Sequence, residues 1–204
     1  MLAVCAAGLQ ARTAMDFFRA TGADRAFGQL QQAVRMDMAD YYESGLRHVV
    51  DNVYEGKAVI VDADSLSLHM RPGGMTDVSM HVLVNPAKAD TTLMVIETAL
   101  MPQPDSRIMF FDKDWNTLKR DPLTAPVLSG WLTEQGKRHR REVQDWLPFM
   151  LAQASYDPAT GTLTVSHSMM EYYPDNADRK KLELYIRPQL TYYWRGGKFS
   201  DKKR

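Results

Sequence analysis

Two histidines, His69 and His81, are the first residues whose types and spacing could do chemistry. They flank the Gly73-Gly74 turn, and each sits opposite the apolar positions of its own strand, so both face the same side of a sheet. Two imidazoles, with a carboxylate such as Glu97 as third ligand, would suit a transition metal. The plainer reading is a polar outer face that happens to carry two histidines. His48, His139 and His167 have no partner that sequence identifies. Asp112-Lys-Asp114-Trp-Asn116 opens like a calcium loop, but such a loop needs Gly at its sixth place and a bidentate acid at its twelfth. Thr117 and Leu123 stand there instead, so the segment reads as a hairpin turn. Asp62-Ala-Asp64 reads the same way, since Asp tolerates the backbone angles of turns.

Other constellations are weaker. The chain has no Gly-x-Ser-x-Gly elbow and no His-Glu-x-x-His. No Gly-rich loop opens a helix, and no pair of carboxylates can be shown to converge for acid–base hydrolysis. Sequence therefore assigns no catalytic residue and no cofactor. Tyr192-Tyr193-Trp194 is a dense aromatic strand in which Tyr192 and Trp194 share a face. That face either packs at a sheet edge or offers a surface for stacking on a sugar or peptide. Lys137-Arg-His-Arg-Arg141 places four basic side chains in five positions. It reads as a solvated helix face ahead of Val143, Trp146 and Leu147, with an anion or partner site as the sharper alternative.

The elements that must position these residues are mostly strands. Lys57–Val61, Ser65–Met70, Val78–Val84, Thr91–Leu100 and Arg107–Asp112 are short apolar or alternating runs. Asp62-Ala-Asp64, Pro72-Gly73-Gly74, Asn85-Pro86 and Pro102-Gln-Pro104 separate them. No gap is long enough for a crossover helix, so neighbouring strands are antiparallel. Leu66, Leu68 and Met70, then Val78, Met80, Val82 and Val84, then Met94 and Ile96, then Ile108 and Phe110, all fit one apolar sheet face. The N-terminal helices are its cover. Thr13 can cap a helix over about 14 to 20, with Asp16 favoured by the helix dipole. Leu30, Val34, Met38, Tyr41, Tyr42 and Leu46 repeat at helical spacing, while Arg35, Asp37, Asp40 and Glu43 lie off that stripe. Either Gly45 ends this helix in a left-handed cap, or the helix continues toward Gly56.

Beyond Trp115-Asn116, Thr117–Lys119 returns as a short strand. Asp121-Pro122, Pro126, Ser129-Gly130 and Gly136 are loop signals. Strand character resumes at Phe149–Tyr156, turns at Asp157–Gly161 and pairs back over Thr162–Ser168. Asn176–Tyr185 reads as a short helix, and Gln189–Trp194 with Lys198-Phe199 closes the fold. The expected class is α+β: N-terminal helices packed on one face of a large, mostly antiparallel β-sheet, as one domain over 12–200 with a frayed tail at 201–204.

Composition bounds the function. At 204 residues the chain can bury a core without staples, and its formal charge is zero. Neutrality argues against a non-specific grip on nucleic acid or a polybasic membrane dock. The single cysteine, Cys5, allows no internal disulfide and no cysteine zinc site. Thirteen methionines read as core gap-fillers. Met1–Leu9 is a short uncharged apolar run, and residues 1–11 read as the remnant of a secretory signal peptide lacking its basic start. Nothing approaches the roughly 20 apolar residues of a transmembrane span.

Specific segments also resemble a known family. Val34-Arg-Met-Asp-Met-Ala-Asp-Tyr-Tyr-Glu-Ser-Gly45 is similar to the helix that opens the secreted bacterial domain-of-unknown-function family numbered 3256. Pro104-Asp105-Ser106-Arg107 with Phe110-Phe111 and Trp115 resembles its central strand and turn. The Leu163 strand, and Ile186-Arg187-Pro188 leading to Tyr193-Trp194 and Gly197-Lys198-Phe199, resemble its later strands. The resemblance runs from about Thr13 to Phe199. It implies an extracytoplasmic protein and transfers no catalytic residue. The functional expectation is a periplasmic or envelope-associated, non-enzymatic binding or accessory module, with an envelope protein or small ligand as partner. The alternatives are an envelope-polymer hydrolase and an inhibitor or chaperone-like module.

Overall fold

The computed structural model describes residues 12–85, 88, 90–119, 128–173 and 176–202. The apolar opening with Cys5, Pro86, Asp121-Pro122, Leu123, Pro126 and the last two residues lie outside the described residues.

The chain first builds a helical cover. Helix α1 (Ala14–Arg19) starts at a capping box, in which the Thr13 hydroxyl accepts from the Asp16 N–H and the Asp16 carboxylate accepts from the Thr13 N–H. A 3-10 turn over Thr21–Arg25 leads to α2 (Gln32–Glu43). The α2 helix ends at Gly45, whose φ of +74° suits a residue without Cβ. The Gly45 N–H donates to Tyr42 O at 3.0 Å and the Leu46 N–H to Tyr41 O at 2.8 Å, a Schellman closure. Of the two expected endings, the glycine cap is the one that forms.

Two assignments along this helix are corrected. Leu46 lies past the cap and is 58% exposed. Arg35, placed off the apolar stripe, is completely buried. Its guanidinium donates to the carbonyls of Phe18 (2.9 Å), Leu30 (2.6 Å) and Ala20 (2.9 Å), and pairs with Asp24. The Phe18 and Leu30 carbonyls are satisfied by Arg35, whereas the Ala20 carbonyl also accepts from the Ala23 N–H at 3.1 Å.

Seven strands follow in sequence order: β1 (Val50–Asp51), β2 (Lys57–Ala63), β3 (Ser67–Gly73), β4 (Thr76–Asn85), β5 (Asp90–Ala99), β6 (Asp105–Asp112) and β7 (Thr117–Leu118). Each pairs antiparallel with the next. Leu68, Met70, Val78, Met80, Leu93 and Val95 point toward α1 and α2 and form the first core with Phe18, Leu30 and Met38. Each such buried side chain contributes roughly 1.5–3 kcal/mol.

The expectation of a single apolar face is corrected. Met94, Ile96, Ile108 and Phe110 point to the opposite side, where a second sheet covers them. It comprises β8 (Ala152–Asp157), β9 (Thr162–His167), β10 (Gln189–Arg195) and β11 (Lys198–Ser200), in the order β11-β10-β9-β8. Ala152, Ala154, Leu163, Val165 and Leu190 are its inward side chains. The central strands of the first sheet are thus buried on both faces, which is why β5 and β6 carry continuous apolar runs. The free edge of β8 is held by β6: Asp105 Oδ1 accepts from the Ala152 N–H at 3.1 Å, and Ser106 Oγ from the Ala154 N–H at 2.9 Å. β8 begins later than expected, and Phe149 is 60% exposed.

Short helices α3 (Leu128–Trp131), α4 (Glu134–Arg138), α5 (Arg140–Trp146) and α6 (Ala177–Tyr185) surround a third core of Leu132, Val143, Leu147, Leu182, Tyr185 and Ile186. The fold is α+β, and no described helix is long and apolar enough to cross a membrane.

Candidate functional site

The β3–β4 register sets the histidine cluster. Ser67 pairs with His81 and His69 with Ser79, so all four side chains lie on one face, as the turn spacing implies. His81 Nδ1 lies 3.0 Å from Ser67 Oγ and His81 Nε2 lies 3.2 Å from Ser79 Oγ. Tyr156 of the second sheet packs edge-on against His81, with ring centroids 4.9 Å apart. His69 Nε2 meets both Asp77 oxygens, at 2.8 and 2.9 Å, and Arg71 shares that carboxylate. Burial lowers the His81 pKa to about 4, so the ring is neutral at pH 7. The adjoining pocket, edged by Asp62, Asp64 and His69, is about 60 Å³, room for a few waters rather than an organic ligand.

Glu97 does not join these histidines. The register pairs Val78 with Glu97, which puts Glu97 on the helix-facing side, and its carboxylate accepts from Arg107 at 2.6 Å. Among the described residues no three His, Cys, Asp or Glu side chains group to hold a metal ion. The Ser67–His81 contact is a weak nucleophile–base pair. A base with pKa near 4 has little driving force to take a hydroxyl proton at neutral pH. The far ring nitrogen meets Ser79, not the carboxylate that orients the imidazole in a hydrolase triad.

The other histidines have partners that sequence could not identify. His48 packs on Tyr41. His139 meets Glu142 and stacks on Tyr185, and His167 lies between the Arg187 carbonyl, the Met169 N–H and Trp131. Asp112 accepts from the backbone of Asp114 and Asn116, forming the expected turn. Lys137, Arg138, His139, Arg140 and Arg141 are all exposed across the α4–α5 junction, with Lys137 paired to Glu134.

Of the two readings of the aromatic strand, packing at the sheet edge is the one that forms. Tyr192 and Trp194 do share a side, and it is the inner one, packed against the second core. The Trp194 ring lies 5.1 Å from Phe199, and its Nε1 donates to Val84 O at 3.4 Å. Tyr193 takes the outer side. There the register draws rows across the strands: Gln153–Ser166–Gln189, Ser155–Thr164–Thr191, and Asp157–Thr162–Tyr193–Ser200. The side chains of Gln153, Ser155, Thr164, Ser166, Gln189 and Thr191 are exposed or half-exposed and make no side-chain hydrogen bond among the described residues. Sequence reasoning passed over them. The signal was the period-two recurrence of short polar side chains opposite an apolar strand face. At the end of this face an open pocket of about 220 Å³ is lined by Gln153, Ser166 and His167 with Gln103, Ser168 and Glu171.

The model of the family described as Protein of unknown function (DUF3256) matches residues 6–199. No curated protein matches the chain. The chain is similar to the solved structure of a domain of an uncharacterized protein from Porphyromonas gingivalis W83, with a TM-score of 0.71 over 93% of this chain and 99% of that one, at 18% identity. That likeness shows the fold alone.

Proposed function

The chain belongs to the DUF3256 family, and on that premise we propose that it is an extracytoplasmic binding module without catalytic activity. What carries the reading is the outer face of the second sheet, where a row-by-row set of hydrogen-bonding side chains has no side-chain hydrogen bond among the described residues. In the histidine cluster, by contrast, both His81 ring nitrogens meet serine hydroxyls and His69 Nε2 meets Asp77. Extracytoplasmic placement rests on the uncharged apolar run Met1–Leu9. A serine hydrolase built on Ser67 with His81 as base is disfavoured by a His81 pKa near 4.

The test is retention of solubilised envelope material by the purified protein. Thr164→Lys with Thr191→Lys should abolish retention, and the envelope polymers should be recovered uncut. Release of new chain ends by the wild-type protein would contradict the reading. A second reading, an inhibitor or chaperone-like module, is favoured by Tyr54, Met75 and Met101, each at least 60% exposed at a hairpin end. These ends adjoin one another, since Asn52 donates to Pro72 O and the Leu100 N–H to Met75 O. It predicts retention that survives the double lysine variant and is lost in Tyr54→Ser.

A further inference from the structure

Resting on that reading, the geometry points to an uncharged, polyhydroxylated polymer, a neutral glycan, as the ligand of the outer face of β8, β9 and β10. The first ground is charge. A quarter of the chain is Asp, Glu, Lys or Arg, yet the rows Gln153–Ser166–Gln189 and Ser155–Thr164–Thr191 carry no charge, and on this face charge enters only beyond them, at Asp157 and at the Arg195–Lys198 pair. An exposed sheet face that only needed solubility would carry lysines and glutamates, as edges and outer faces commonly do. Hydroxyls and amides both donate and accept. They match a ligand that offers both in alternation and carries no charge of its own.

The second ground is shape. Neighbours within a row are one strand separation apart, about 4.8 Å, and successive rows are roughly 6.6–6.8 Å apart along the strands. Short side chains at Ser155, Thr164, Ser166 and Thr191 keep the middle of this surface low, between Gln153 and Gln189 at one end and Tyr193 at the other, so an extended chain can lie along it. Tyr193 stands in the third row beside Thr162 and Ser200, with its ring on the outer side. It offers an apolar platform for the C–H face of a sugar ring. At the opposite end Gln153 and Ser166 belong both to the first row and to the 220 Å³ pocket, so the face runs into a cavity. Within that pocket Gln103 already bonds Ser168 and Glu171, and it holds the Glu171 carboxylate in place to accept from hydroxyls.

A protein partner fits less well. Protein interfaces have an apolar, aromatic-rich centre and a polar rim. This face has the reverse arrangement, with polar rows at its centre and one tyrosine toward its edge.

Affinity electrophoresis of the full chain in native gels tests the inference. The neutral probes are dextran, laminarin, soluble starch and galactomannan. Polygalacturonate, heparin and unfolded casein are the charged and protein probes. At least one neutral glycan should retard the wild-type protein. Tyr193→Ala should bind it about tenfold more weakly, equivalent to roughly 1.4 kcal/mol, and Thr164→Lys should abolish retardation. Ser155→Lys, on an exposed edge-strand position, serves as a second face variant, and unchanged urea midpoints establish that each variant is folded. Retardation by none of the neutral glycans, by the charged or casein probes alone, or equally in the wild type and folded face variants, overturns the inference. Envelope retention lost in the double lysine variant while no glycan retards the protein would sink this ligand class and leave the binding reading intact.

Discussion

Arg35→Met removes a buried cation while nearly keeping its volume. In the native protein the guanidinium serves the carbonyls of Phe18, Leu30 and Ala20 and the Asp24 carboxylate. The Phe18 and Leu30 contacts are buried, and no water can replace the lost donor there. An orphaned buried acceptor costs about 1–3 kcal/mol. The Ala20 contact is only partly buried, and the Asp24 side chain is 57% exposed, so both regain water. Relief from desolvating the cation offsets part of the loss. The net expectation is a loss of roughly 3 kcal/mol, a large share of the roughly 5–15 kcal/mol that holds a domain folded. Urea denaturation followed by tryptophan fluorescence measures it. Arg19→Met is the control, because Arg19 pairs with Asp40 and Glu43 at the surface and should cost about 0–1 kcal/mol. Equal midpoints for the two variants would refute the account of how the helical cover is fixed.

His81 should titrate near 4 by proton NMR, well below a free imidazole. Because the folded pKa is depressed, the unfolded chain binds the proton first as pH falls. Stability is therefore lost between about 6.5 and 4, by roughly 3 kcal/mol, and His81→Gln should flatten that slope. Met38→Asp buries an unpaired carboxylate at a position 2% exposed and should cost roughly 4 kcal/mol or more, whereas Asp40→Ala should stay within about 0.5 kcal/mol in the same melts. Gly136→Ala would normally favour a helix, but a Cβ there meets the Tyr185 carbonyl. The variant should lose roughly 1–3 kcal/mol and gain hydrogen exchange in α4.

Local signals were the most legible part of the fold. The Thr13 capping box, the Gly45 cap and the Asp157–Gly161 hairpin depend on residues a few positions apart. The strands of the first sheet followed from the turns between them. What failed was the assignment of faces. Alternation alone puts Met94, Ile96, Ile108 and Phe110 on the helix-covered face, yet the continuous apolar runs Leu93–Ile96 and Ile108–Phe111 mark burial on both sides. That signal would have announced a second sheet. Arg35 was missed because its partners arrive from other segments, the farthest 17 positions away, and a charge in an amphipathic helix defaults to solvent. Parity placed Tyr192 and Trp194 together, but only Leu163 and Val165 of the neighbouring strand decide that their side is inward. The outer rows share this limit, since a row exists only once three strands are in register.

Backbone amide chemical-shift mapping during titration with the retarding glycan bears most directly on the binding face. Shifts should concentrate at Ser155, Thr164, Ser166, Thr191 and Tyr193. Shifts concentrated instead at Ser67, His69 and His81 would place binding at the histidine cluster and contradict the account.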